Sequence, residues 1–327
     1  MSAPVLRWGL VSTARINGAL LGADAWKQER WVAIGSRDTA KASAYAEEHG
    51  LSRAHGSYEA LLADPELDAV YIGLPNGLHV EWTLKALQAG KHVLVEKPFS
   101  PQPAEVERCF DLAEERGLVL AEAFRWRHHP QALEARALIE QGAIGELRAL
   151  HSHFSFSLTE PDNVRWQTAL EGGALMDLGC YCVSGCRTLA GAEPERVHGE
   201  QVLGGDGVDA SFAGLLRFPG DVLATIGCSF AAAKRHELVA TGTEGSLRLD
   251  DPWHGNRAVI AVTDADGEVT EHDCSSELGP YALELDDLEA AVAGERSPLL
   301  GRDDAVGQAR TISTLYASAA SNRGVTS

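Results

Sequence analysis

A chain of 327 residues with 45% hydrophobic and 23% charged side chains has the balance of a globular protein of two ordinary domains, which excludes a disordered or fibrous one. Its 47 acidic side chains against 28 basic ones leave a formal charge of −19, which argues against nucleic acid and anionic lipid as partners. With no basic-then-apolar leader and no run near the about 20 apolar residues of a membrane helix, a cytoplasmic protein is expected.

The first third alternates short apolar runs with helical patterns. Strands are predicted at 6–11, 31–36, 69–74, 92–95 and 118–121, and helices at 16–28, 39–49, 79–89 and 103–116. Such alternation predicts a parallel, doubly wound sheet, because each parallel pair needs a crossover helix. After a helix at 131–140 the pattern changes. A long strand over 146–158 and a helix over 174–190 lead into strands at 195–202, 210–218, 222–229, 236–241 and 246–249. Turns such as Phe218-Pro219-Gly220-Asp221 between consecutive strands indicate an antiparallel or mixed sheet. Helices at 281–293 and 303–320 close the chain. The expected class is α/β, with a domain boundary near residue 123.

Cys180, Cys182 and Cys186 match no common zinc spacing and fall in a predicted helix, so they read as small buried side chains. No His/Asp/Glu set shows ligand spacing either, and His49 and His254 read as surface residues. No metal is expected.

The first strand runs into Ser12-Thr13-Ala14-Arg15-Ile16, where a dinucleotide fingerprint would place glycines so that a pyrophosphate approaches the helix N-terminus. Ser12 and Ala14 stand in for glycines, and the hydroxyls of Ser12 and Thr13 could donate to phosphate. The second strand ends in Ser36-Arg37, with Lys41 a helical turn on. An NAD enzyme usually carries an acidic residue there, whereas serine, arginine and lysine suit the 2′-phosphate of NADP. Asp38 is the one acid that could turn toward the ribose.

At Val95-Glu96-Lys97-Pro98-Phe99 the sequence resembles the glucose–fructose oxidoreductase/inositol dehydrogenase (Gfo/Idh/MocA) family. The resemblance extends through residues 7–14, through Leu74-Pro75-Asn76-Gly77-Leu78-His79, through 122–130 and through 172–181. Within the family it is similar to the branch of NADP-dependent D-xylose dehydrogenases and dimeric dihydrodiol dehydrogenases. Arg125 departs from that branch, which usually has methionine there.

The resemblance implies a Rossmann domain over 1–123 and, over 124–327, a substrate and oligomerisation domain on a large, mostly antiparallel open sheet. It implies that Ser12, Thr13, Ala14, Arg15 and Ile16 cradle the pyrophosphate, and that Ser36, Arg37 and Lys41 hold the adenosine phosphate. Leu74, Pro75, Asn76 and His79 would line the ribose and nicotinamide path. Glu96 and Lys97 would lie under the nicotinamide, with the Lys97–Pro98 bond cis. Asn163, Arg165 and Trp166 would reach cofactor or substrate, and Tyr281 would stand near the pocket. Arg127, His128 and His129 could bond sugar hydroxyls, or cap the following helix.

Asp177 and Tyr181 are spaced to share a helix face, and the upstream Gly172-Gly173 pair would let that helix start approach the cofactor closely. A tyrosine is a poor base, with an ordinary pKa near 10, and an ammonium such as Lys97 beside it would favour the phenolate. The expected chemistry is hydride transfer between C1 of an aldose and NADP, with Tyr181 moving the hydroxyl proton, Lys97 tuning it, and Asp177 positioning Lys97 or the sugar. A keto- or dicarbonyl-sugar reductase, or a dihydrodiol dehydrogenase, would use the same residues; a non-catalytic NADP sensor would not need them. A homodimer or homotetramer is expected from the exposed sheet.

Overall fold

The computed structural model describes residues 5–23 and 29–321. The chain forms two compact units, one of Met1–Arg125 with Leu278–Val306 and one of Trp126–Glu277 with Gly307–Ser327. Among the described residues no helix is long and apolar enough to cross a membrane.

The chain opens with β1 (Trp8–Val11), α1 (Ile16–Ala23), β2 (Trp31–Gly35), α2 (Thr39–His49), β3 (Arg53–His55), α3 (Tyr58–Leu62), β4 (Ala69–Ile72), α4 (His79–Gln88), β5 (His92–Glu96), α5 (Pro103–Arg116) and β6 (Leu120–Ala123). The strands form one parallel sheet in the order β3-β2-β1-β4-β5-β6. The order reverses between β1 and β4, the switch point at which such sheets bind ligands beyond their strand carboxyl ends. β1 and β4 are buried throughout, as continuous apolar strands covered on both faces must be. β3 and α3, three and five residues long, were not predicted because neither is long enough to show a period. Residues 24–28 of the predicted first helix lie outside the described residues.

Then follow α6 (Pro130–Glu140), β7 (Leu147–Ser157), α7 (Cys180–Ala190), β8 (Arg196–Leu203), β9 (Asp209–Phe218), β10 (Val222–Ser229), β11 (Ala231–Gly242), β12 (Gly245–Leu249), β13 (Val259–Asp264), β14 (Val269–Asp273), α8 (Pro280–Val292) and α9 (Arg302–Ala320). The eight strands described here form a sheet in the order β14-β13-β12-β11-β7-β10-β9-β8. Only its β7–β10 pair is parallel. α7 covers β7, β10 and β11. Residues alternate between the faces, so Leu216, Ala224 and Ile226 are buried while Leu215 and Leu223 stay exposed. β13 and β14 were missed. β14, Val-Thr-Glu-His-Asp, is a polar edge strand and carries little apolar signal.

One expectation is corrected. The stretch 124–327 is not one contiguous domain, because α8 belongs to the first unit. Leu285 and Leu288, flanked by Tyr281 and Val292, pack into the cluster of Trp8, Leu10, Leu20, Trp31 and Tyr71. The Trp8 indole donates to Glu289 at 3.1 Å, and the fully buried Arg30 pairs with Asp286 at 3.1 Å and Glu289 at 3.5 Å.

Candidate active site

In the first unit, the loops after β1, β2, β4 and β5 all leave from the carboxyl edge of the parallel sheet. Ser12 holds the left-handed φ of 90° that a fingerprint glycine would supply. Its hydroxyl donates to the Gly73 carbonyl at 2.9 Å, which ties the β1 and β4 loops across the switch point. That hydroxyl is therefore not available to a phosphate, which corrects the expectation and leaves the backbone and Thr13. Arg15 is exposed beside the N-terminus of α1. After β2, Ser36 is buried, while Arg37 and Lys41 face solvent. Asp38 is the N-cap of α2 and accepts from the amides of Ala40 and Lys41 at 2.9 and 3.1 Å. One of its two carboxylate oxygens is thereby engaged by the helix. Small residues, an open helix N-terminus and two exposed cations fit a phosphorylated dinucleotide.

After β4, Leu74 is buried and Pro75 and Asn76 are partly exposed. His79 is fully buried, its ring nitrogens 2.8 Å from the Leu74 carbonyl and 2.9 Å from the Pro98 carbonyl. It braces the Leu74 loop against the Lys97–Pro98 turn, whose peptide is cis as expected, and does not line a cofactor path. Burial holds the imidazole pKa below its usual value; the two carbonyls oppose this and the Lys97 charge adds to it. Glu96 accepts from the Tyr71 hydroxyl and, at 3.1 Å, from the Lys97 amide. Burial pushes the Glu96 carboxyl up, against Lys97, Tyr71 and Arg125. Glu284 of α8, fully buried and without a hydrogen-bond partner for either oxygen, is driven far up by burial and by Glu96, with Arg125 opposing. The Arg125 guanidinium lies 4.7 Å over the Tyr281 ring. Tyr281, expected in the second domain, therefore belongs to the first unit.

In the second unit, a single π-type turn, Leu175–Gly179, precedes α7. The Arg165 guanidinium donates to Asp177 at 2.6 Å, and Asn163 caps a separate short 3-10 turn, Val164–Trp166, by accepting from the Arg165 amide at 3.1 Å. Asp177 raises the Arg165 pKa above its usual value against the cost of burial, and Tyr181 is close enough to add to that effect. Asp177 thus holds Arg165, a partner the sequence did not assign to it. Tyr181, almost buried, sits with its ring 5.6 Å from Phe154 and 5.7 Å from Trp253. The glycine pair has an internal reason. A Cβ at Gly172 would collide with the Arg165 carbonyl, and one at Gly173, at φ 119°, with the Asp209 carboxylate. Asp209 accepts from the Leu175 amide at 2.6 Å and the Tyr316 hydroxyl at 2.8 Å, and burial pushes its pKa up to about 6.

Trp166 stacks edge-on to Phe230 and lines a surface groove with Pro161 and Gly204. Arg127 lies 5.9 Å from the Trp126 ring, His128 is partly exposed, and His129 caps α6 by accepting from Gln131. Cys180, Cys182 and Cys186 are buried thiols; burial pushes Cys182 up to about 12 and raises Cys186 well above the usual thiol value. The spacing argument against a metal-ligand set fails at one place, His236, Asp251 and His254, whose ligand atoms lie within 4.8 Å of one another. Asp209, Phe154 and Trp253 were missed because only tertiary folding brings them to the Tyr181 turn. Glu284 was readable: it falls inside the Tyr281–Leu285–Leu288 stripe of α8, where an acid is out of place.

Residues 7–124 match the oxidoreductase family model with an NAD-binding Rossmann fold, and residues 132–248 match the GFO/IDH/MocA C-terminal domain. The chain is 36% identical, over 98% of its length and 99% of the relative's, to D-xylose 1-dehydrogenase (NADP(+)) 2 of Haloferax volcanii. It is 36% identical over 78% of both chains to trans-1,2-dihydrobenzene-1,2-diol dehydrogenase of Macaca fuscata fuscata. The 3-ketoreductase KijD10 of Actinomadura kijaniata, solved with NADP and TDP-benzene, superposes with a TM-score of 0.89 at 28% identity, covering 96% of this chain and 98% of that one. A Rossmann sheet with its switch-point loops, the tyrosine turn of the second unit and these likenesses agree: the chain belongs to the GFO/IDH/MocA family of nicotinamide-dinucleotide oxidoreductases.

Proposed function

We propose that this protein is an NADP-dependent dehydrogenase of an aldose, D-xylose or a sugar like it, acting at C1. The full-length likeness to a D-xylose 1-dehydrogenase supports the substrate class. The observation that carries the cofactor preference is the β2 edge, where one carboxylate oxygen of Asp38 caps α2 while Arg37 and Lys41 stay exposed. Arg37, Lys41 and Ser36 hold the 2′-phosphate. The loop amides with Thr13, Ala14, Arg15 and Ile16 hold the pyrophosphate, and Leu74, Pro75, Asn76 and Glu96 line the rest of the cofactor path. When bound, the nicotinamide supplies the two-electron acceptor or donor for a carbon–hydrogen bond.

Tyr181 takes the proton of the anomeric hydroxyl in oxidation and returns it to the carbonyl oxygen in reduction. Arg165, held by Asp177, lies close enough to the phenol for their charges to interact. Lys97 adds charge in the same reaction. Arg127, His128, Asn163 and Tyr281 bond or flank the sugar. A second reading, reduction of a keto sugar or oxidation of a dihydrodiol, draws on the likeness to a dihydrodiol dehydrogenase and to a 3-ketoreductase. The test is absorbance of reduced nicotinamide with purified protein, NADP⁺ or NAD⁺, and a panel of aldoses. Turnover of D-xylose with NADP⁺ preferred supports the first reading. Silence with every aldose, with NADPH oxidised by keto or dicarbonyl sugars, moves the enzyme to the second.

A further inference from the structure

His236 lies on β11, and Asp251 and His254 lie on the turn that follows β12. In the β11–β12 ladder Leu238 pairs with Leu249, so two residues further the register brings position 236 opposite 251. Asp251 takes a left-handed φ of 43° there, a conformation aspartate tolerates better than most residues, and this turns the chain so that His254 comes back toward it. The Nδ1 atoms of both histidines lie 3.0 Å from the same Asp251 oxygen, Oδ1. The imidazole rings are 4.7 Å apart and tilted by 31°. Asn256 donates to the other oxygen, Oδ2, at 2.9 Å and fixes the carboxylate plane. Side-chain exposure rises from 10% at His236 to 21% at Asp251 and 34% at His254, so the cluster opens to solvent on one side.

We propose that His236, Asp251 and His254 form a binding site for one divalent transition ion, of the Zn²⁺ type. Two imidazole nitrogens and one carboxylate oxygen are the ligand set zinc takes, with a solvent molecule in the fourth position. Tetrahedral ligands about 2.0–2.1 Å from zinc stand a little over 3 Å from one another, so the 3.0 Å spacings of the cluster already match two edges of such a site. Asn256 supplies the outer hydrogen bond that keeps a ligating carboxylate in place. The turn so fastened carries Trp253, whose ring packs at 5.7 Å from Tyr181, so the ion would stiffen one wall of the tyrosine. The site takes no part in moving electrons or protons, and it stands apart from the dehydrogenase reading.

The experiment is calorimetric titration of ZnCl₂ into the full-length, chelator-stripped protein, with melting temperature followed in parallel. Expected are saturable binding of one ion per chain and a rise in melting temperature. Both should be lost in His254→Ala, whose surface position leaves the core intact, and in His236→Ala. Asn256→Ala should bind roughly 10-fold more weakly. Absence of saturable binding by the unmodified chain overturns the proposal, as does binding that His254→Ala and His236→Ala leave unchanged.

Discussion

The proposed preference for NADP rests on the β2 edge, where one carboxylate oxygen of Asp38, the acid that could read a ribose hydroxyl, accepts from the first amides of α2 while Arg37 and Lys41 stay exposed. Arg37→Ala should lower kcat/KM for NADP⁺ by roughly 10- to 100-fold, the worth of a charge-assisted hydrogen bond, and leave NAD⁺ nearly unchanged. Equal losses with both cofactors would remove Arg37 from the phosphate. At Asp209 burial lifts the folded pKa to about 6, against 3.8 for the ordinary side chain. The folded state therefore keeps this proton to higher pH than the unfolded one. The contribution to stability is full below pH 3.8 and is lost as pH climbs through about 6. Asp209→Asn does not titrate, so its stability relative to the parent should improve by up to about 3 kcal/mol between pH 4 and 6. Urea unfolding of both proteins across that range measures it, and a flat difference would contradict it.

At the scale of elements, the sequence was most legible where period and burial coincide. The alternation of apolar strands and capped helices to residue 123 announced the parallel sheet, and the loop after β1 announced its ligand edge. It was least legible where an element's partner lies far away in the chain. α8 follows the second sheet in sequence yet completes the core around Trp8 and Trp31. Nothing in its own pattern says which core its stripe meets. Leu285→Ala should cost about 2–5 kcal/mol, the price of an unfilled core position, measured by denaturant unfolding. A cost below about 1 kcal/mol would mean that α8 is dispensable to that core. The glycine pair taught a similar lesson. Its spacing suggested approach to a ligand, but Gly172 and Gly173 first make room for the Arg165 carbonyl and Asp209. Lys97 and Tyr181 are proposed from the family motif, whereas the Arg165–Asp177 pair became visible only in the folded chain, beside the π-type turn.

For the whole molecule, the outer face of the second sheet carries exposed Leu215 and Leu223 on neighbouring strands. We expect this face to be covered by another copy of the chain, giving a homodimer or homotetramer. Size-exclusion chromatography with light scattering would show it, and a monomer at micromolar concentration would refute it. The formal charge of −19 repels an anionic cofactor, so on the proposed reading the local cations Arg15, Arg37 and Lys41 capture it, and salt should weaken its binding. The role proposed for Tyr181, moving the substrate proton, is tested by Tyr181→Phe, assayed for turnover with the preferred sugar and for NADPH affinity by fluorescence titration. If Tyr181 carries the proton, kcat falls by about 10²–10⁴-fold with cofactor affinity unchanged; near-normal turnover with intact cofactor binding would remove Tyr181 from the proton's path.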